Sequence, residues 1–471
     1  MGWFEENNER FWNLLIILAL IINLYAMVFS EKGLDTHVKE SYVEVDEGYA
    51  LDWGDTRLED PLASDPNDST VVDNKPILVS SNLFTSLLFV TLLGVLAIKI
   101  SKGFGALVLL HPTLIYSVGK GYNEPLIAIL MGVTAYLLLH SFKGNNWASK
   151  AVAALPIIII IWLKTTSPAD SMLIPALVFI AILSLSVFIP IHLLNPRRMI
   201  GVGFASGAGL VLLLGILGQG TSSIILDEPI RFLYALPFAF LDVVIIYGLF
   251  GMVLWPFVKS TWEKMGDMED RLVSELALII GGLSGLITMY VAVLWAYESI
   301  LWNSDWPWHM VTMGNNGRYS TILVIPIYLL IKRVNGNINW ANKQILVGVM
   351  LILPLSLLAG VHGQTMWTDE AAKTMSVEQD GHFLFVSDAT LGMHWLYTFH
   401  DPLDAEDNNI TGHWRSDEAN WESQLDSDLI HVNWLVLAPE VSVAPVGWTL
   451  HDSGNADYLN GGGEWQVWTR G

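Results

Sequence analysis

The sequence predicts a mainly α-helical, polytopic membrane bundle of about eleven spans, with a small α/β domain on the outer side at its C-terminal end. Three observations predict it. Hydrophobic residues make up 52% of the 471 and charged residues only 15%, well below the rough quarter usual in soluble domains. Long apolar runs recur through residues 1–362, and basic residues gather in every second connection between them. From 363 to 471 the runs become short and stand among acids.

The first run, FWNLLIILALIINLYAMVF (11–29), has about the ~20 residues that a bilayer crossing needs. The acidic leader MGWFEENNER and the lack of a small-residue cleavage pattern favour a span over a signal peptide. Further runs lie near 83–98, 104–118, 125–141, 148–163, 171–193, 200–217, 233–257, 273–299, 319–332 and 344–361. With a cytoplasmic N-terminus, the inner connections hold Lys99 and Lys102; Lys143 and Lys150; Arg197 and Arg198; Lys259, Lys264 and Arg271; Lys332, Arg333 and Lys343. The short outer connections hold one base apiece: Lys120, Lys164, Arg231 and Arg318. Omitting any one span would invert every later connection and destroy this bias, so the positive-inside rule argues for all eleven.

Acidity is confined to two segments, both external under that topology. Residues 31–82 carry 13 Asp/Glu against 4 Lys/Arg, and residues 363–471 carry 18 against 3. The whole chain is at −22, so the remainder is slightly positive. Nucleic acid is excluded as a partner, because a phosphate backbone needs a basic footprint. A solvated acidic exterior explains most of these charges. There is no cysteine, which removes disulfides, thiolate metal sites and thiol nucleophiles.

Two domains follow: a membrane domain over 1–362, including the external acidic loop 30–82, and a soluble external domain over 363–471. In the latter, HFLFVSD (382–388) and WLVLAP (434–439) read as buried strands and EWQVWTR (464–470) as a half-buried one. ATLGMHWLY (389–397) reads as a short helix. Eight tryptophans between 367 and 468 are too many for a disordered tail. Glycosylation sequons stand at Asn67-Asp68-Ser69 and Asn409-Ile410-Thr411.

The candidate chemistry lies at the outer mouths of the spans. VDEGYALDWGD (45–55) carries the acidic pair Asp46 and Glu47, and GKGYNEPL (119–126) places Glu124 where the fourth span begins. Glu124 alone could simply complement a helix N-terminus. Sharing one shallow layer with Asp46 and Glu47, it becomes a candidate for general-base chemistry. Arg318, in GRYSTILVIPIYLL (317–330), opens the tenth span at the helix end that disfavours a cation. Snorkelling would explain it, and so would an anionic ligand, for which a guanidinium fork suits phosphate. Lys164 ends the fifth span on the same side and is equally well read as an interfacial anchor. Asp242 lies too deep in the eighth span for that layer. GVGFASGAG (201–209) lacks the strand of a dinucleotide fingerprint and reads as close helix packing. The histidines show no ligand spacing, so no metal site is expected, and His309 belongs to a Trp-rich interfacial loop.

Asp46-Glu47 with Tyr49, Asn74-Lys75-Pro76 before the second span, Asn123-Glu124-Pro125-Leu126 at the fourth, Lys164, Arg318-Tyr319 and an aromatic-basic final strand occur in this order. The pattern resembles the GT-C superfamily of membrane glycosyltransferases, in the branch of protein mannosyltransferases and aminoarabinose transferases. The resemblance implies a polyprenyl- or dolichyl-monophosphate sugar as donor, reached from the bilayer lipids. It implies inverting transfer to a hydroxyl of a glycan, protein or lipid on the outer face. Asp46, preferred over Glu47 on the resemblance alone, would take the acceptor proton, and Glu124 would orient acceptor or base. Arg318 and Lys164 would hold the donor phosphate. No organic cofactor is implied and no WWDYG-like motif is present, so metal dependence is not implied either, although Asp46 with Glu124 could hold a divalent cation. The alternatives from other classes are a lipid-sugar flippase or transporter, and a non-catalytic glycan-assembly protein of the same fold.

Overall fold

Apolar runs become helices in the computed structural model, which describes residues 7–30, 50–52, 83–122, 124–141, 147–164, 190–218, 220–301, 314–336, 338–361, 367–375, 382–387, 411–417, 420–439, 445–456 and 463–470, with 181, 188, 399 and 441; the run 171–193, expected as a span, lies almost wholly outside them. Two units divide the chain. One comprises residues 1–28, 77–296 and 314–360; the other comprises 29–76, 297–313 and 361–471.

The first unit is helical: α1 (Asn8–Phe29), α2 (Leu83–Ile100), α3 (Lys102–Leu109), α4 (Pro112–Gly119), α5 (Glu124–Tyr136, continued by a π turn Leu137–Ser141) and α6 (Trp147–Lys164). After these come α7 (Pro196–Ile216), α8 (Pro229–Met265), α9 (Arg271–Leu301), a 3₁₀ helix Gly314–Leu323, α10 (Val324–Asn335) and α11 (Lys343–Val361). Among the described residues, four helices are long and apolar enough to cross a membrane: Asn8–Phe29, Pro196–Ile216, Arg271–Tyr297 and Lys343–Val361. In α1 the buried residues Leu15, Ala19, Ile22 and Ala26 fall on one face. The opposite face exposes Leu14, Ile17, Ile21, Leu24 and Val28. A helix apolar all round, with one side packed and the other bare, needs a lipid solvent. This is a helical membrane protein.

Small residues allow close approach between α7 and α9. A Cβ on Gly203 or Gly207 would overlap the backbone at Leu278 and Gly282, and one on Gly281 or Gly285 would overlap Ile200 and Phe204. The glycine-rich run is therefore a packing face. Basic residues near helix ends make structural pairs: Lys102 with Glu9, buried Lys150 with Glu275, and Arg333 with Asp270 at 3.0 Å.

The run 104–118 departs from the continuous span expected of it. It forms two helices of eight residues, α3 and α4, broken at His111 and Pro112. Proline cannot donate to the preceding turn and fits the first position of a new helix. Each piece is only about 12 Å long, short of a ~30 Å hydrocarbon core. The break frees carbonyls that the interior must satisfy. Asn23 Nδ2 donates to Leu109 O at 2.8 Å, and the Ser356 hydroxyl donates to Leu110 O. Both short helices are almost wholly buried, the condition under which a broken helix is tolerated at membrane depth.

The second unit is a six-stranded sheet in the order β1-β3-β2-β4-β6-β5, built from β1 (Ala50–Asp52), β2 (His382–Ser387), β3 (Thr411–Ser416), β4 (Trp434–Leu437), β5 (Trp448–Ala456) and β6 (Gly463–Arg470). Strands β1, β3, β2 and β4 run parallel, and β6 runs antiparallel to both its neighbours, β4 and β5. Strands β2, β4 and β6 coincide with the three runs expected as strands. Central β2 and β4 are covered on both faces, which is why they read as unbroken apolar runs. Phe383, Phe385, Leu435, Leu437 and Val467 form the core with Trp367 of α12 (Trp367–Thr374), Trp414 and Trp421. The sheet draws one strand, β1, from the long acidic loop. The expected helix 389–397 and both sequon asparagines lie outside the described residues.

Candidate functional site

In the first unit, Arg318 and Glu124 meet in the interior against tyrosine rings. Arg318 stands midway along the 3₁₀ helix Gly314–Leu323. Ten residues of 3₁₀ helix is long for a conformation that rarely exceeds three or four. Three residues per turn stack Arg318 directly over Thr321. Glu124 is the first residue of α5, followed by Pro125. Its side chain is 3% exposed and that of Arg318 is 4% exposed.

Glu124 Oε1 lies 3.5 Å from Arg318 Nε, within ion-pair range and longer than a tight charge-assisted hydrogen bond. The guanidinium carbon sits 3.7 Å over the Tyr122 ring and 5.1 Å from that of Tyr319. Arg318 Nη2 also reaches the Tyr319 hydroxyl at 3.4 Å. Tyr319 packs edge-on to Tyr290, 5.6 Å between centroids. A desolvated cation over an aromatic face gains about 2 kcal/mol. The carboxylate and the rings thus fix the plane of a permanent cation away from water.

A polar chain lies below the arginine. Thr321 Oγ1 bonds to Thr113 Oγ1 at 2.8 Å, and Thr113 Oγ1 lies 2.6 Å from His111 Nδ1. This ties the 3₁₀ helix to the break between α3 and α4. Lys120, buried at 3% exposure, caps α4, where a helix C-terminus favours a cation.

Of the residues expected at the site, Glu124 and Arg318 are brought together. Lys164 ends the backbone of α6, and its side chain lies outside the description. Asp46, Glu47 and His309 also lie outside the described residues. Asp242 is half-buried on α8, and one of its carboxylate oxygens is buried without a hydrogen-bond partner among the described residues. Sequence reasoning did not single out Tyr122, Lys120, His111 or Thr321. Tyr122 and Lys120 stand in the same GKGYNEPL stretch as Glu124, the one signal that could have found them. A second cluster, His382, His413 and His431, converges in the sheet unit.

No protein-family model, curated protein or solved structure matches the chain.

Proposed function

We propose that the chain is an integral-membrane glycosyltransferase that moves a sugar from a polyprenyl- or dolichyl-phosphate donor to an acceptor hydroxyl on the outer face. The observation that carries this reading is the Arg318 guanidinium buried against Glu124 and tyrosine rings in an apolar helical unit. A guanidinium buried beside one carboxylate and faced by tyrosine rings is costly to keep for packing alone, because buried ion pairs rarely repay their desolvation. It is well suited to a lipid-linked phosphate. The donor phosphodiester carries one negative charge and the released monoester carries two, so a fixed cation stabilises the departing group more than the ground state. Glu124 orients the fork. The acceptor proton goes to a carboxylate of the first external loop, Asp46 or Glu47.

The topology belonging to this reading has eleven spans, a cytoplasmic N-terminus, and an external acidic loop and C-terminal domain. The partition of basic residues between connections supports it, with 104–118 crossing as a broken helix. The direct experiment incubates the purified protein with a panel of polyprenyl- and dolichyl-phosphate sugars and follows release of the lipid monophosphate. Release from at least one donor, lost in Arg318→Ala, is expected; release from none rejects the enzyme reading.

A second reading, a lipid-sugar flippase or transporter, is favoured by Asp242, since a carboxylate within a span often marks an ion pathway. Loss of lipid-sugar translocation in vesicles on Asp242→Asn, with no transfer detectable in wild type, would select it.

A further inference from the structure

Three histidines far apart in the chain meet on one face of the sheet. His382 opens β2 and His413 is the third residue of β3. The strands run parallel, with Leu384 the partner of His413. Residues two apart on a strand share a face, so His382 and His413 project from the same side. His431 arrives from the turn before β4, the neighbour of β2 on its other flank. One ring nitrogen of each histidine lies within 4.8 Å of the other two. The Nε2 atoms of His413 and His431 are 3.0 Å apart. The His431 ring stands edge-on to both others, at 88° and 67°.

A hydrogen bond between His413 and His431 accounts for the shortest contact, but it does not require a third imidazole in the same sphere. A metal ion does. Zinc holds imidazole nitrogens at 2.0–2.1 Å in a tetrahedral array, which sets them about 3.3 Å apart. His413 and His431 stand just inside that value at 3.0 Å and the set of nitrogens lies within 4.8 Å, so ring rotation is what closes the site. Oxygen-seeking magnesium and calcium suit an all-imidazole set poorly.

The backbone behind these rings is held in place. His382 N–H donates to Asn433 Oδ1 at 3.0 Å, and Asn433 N–H donates to His382 O at 3.1 Å. Arg470 donates from its side chain to the carbonyls of Ile430 and Leu425 at 2.6 and 2.8 Å, and from its backbone to Asn433 O at 3.1 Å. The turn carrying His431 is thus pinned on both sides, as a metal site needs. His413 is buried, His382 half-buried and His431 exposed. An ion can enter from the His431 side and keep a water there.

We propose that His382, His413 and His431 form a site for a divalent transition metal of the zinc class, with three imidazole ligands and a water in the fourth position. Full-length protein, purified without a polyhistidine tag and stripped with a chelator, is titrated with Zn²⁺ against a chromophoric chelator of micromolar affinity. One equivalent per chain is expected. His431→Ala should weaken binding at least tenfold, and because that side chain is exposed this arm stays clear of folding defects. His382→Ala combined with His431→Ala should abolish binding. His451→Ala, in the same sheet but bonded to Thr374 O, should change nothing. Wild type that cannot compete with the chelator, or a double variant that keeps its equivalent of zinc, overturns the proposal.

Discussion

Arg318 and Glu124 form a buried pair, Nε to Oε1 at 3.5 Å, that joins the 3₁₀ helix to the start of α5. Removing one partner of such a pair leaves an uncompensated charge, a loss of roughly 3–5 kcal/mol. Glu124→Gln should therefore lower the melting temperature in detergent. Glu124→Gln combined with Arg318→Met should recover much of that stability and still show no donor binding. Recovery of both would reduce the pair to architecture.

The α7–α9 contact makes a sharper stability prediction. A Cβ at Gly207 would overlap the Gly282 carbonyl, whereas one at Gly209 meets nothing within 4 Å. Gly207→Ala should destabilise by about 1–3 kcal/mol, the usual effect of overpacking. Gly209→Ala should be neutral or slightly stabilising, since alanine is the better helix former. Equal melting temperatures for the two variants would contradict the packing described here.

Topology is testable without background labelling, because the chain has no cysteine. Cysteines placed singly at Ser64 and Ser453 should both react with an impermeant thiol reagent in intact cells. Protection of either one would overturn the eleven-span arrangement.

How much of this was legible in the sequence depended on what each residue's neighbours contribute. Strands β2, β4 and β6 announce themselves by apolar runs or alternation. Strand β3, TGHWRS, is polar and takes its order from pairing on both sides. In β5 an irregularity between Leu450 and Asp452 breaks the alternation. Pro112 interrupts the run 104–118, yet the run is apolar enough to read as one span. Glu124 stood out because it shares one layer with Asp46 and Glu47, and Arg318 because a helix start disfavours a cation. Tyr122 did not, since aromatics there are common as an interfacial belt. The histidines could not be paired by spacing, because strand register, not chain distance, sets their approach.

The base and the phosphate ligand should fail differently. Asp46→Asn should lower turnover by roughly 10²–10⁴-fold with donor binding kept. Asp55→Asn and Glu59→Gln, read as solvated acids of the same loop, should change turnover little. Loss of equal size at all three would place the base elsewhere.

The most direct measurement is the affinity of the purified protein for a polyprenyl monophosphate, compared between wild type and Arg318→Ala at fixed detergent and salt. Charge-assisted hydrogen bonds to a buried phosphate contribute about 1.5–3 kcal/mol. The account therefore predicts affinity about 10- to 100-fold weaker in Arg318→Ala, with only partial recovery in Arg318→Lys, which lacks the fork. Indistinguishable affinities for wild type and Arg318→Ala would contradict it.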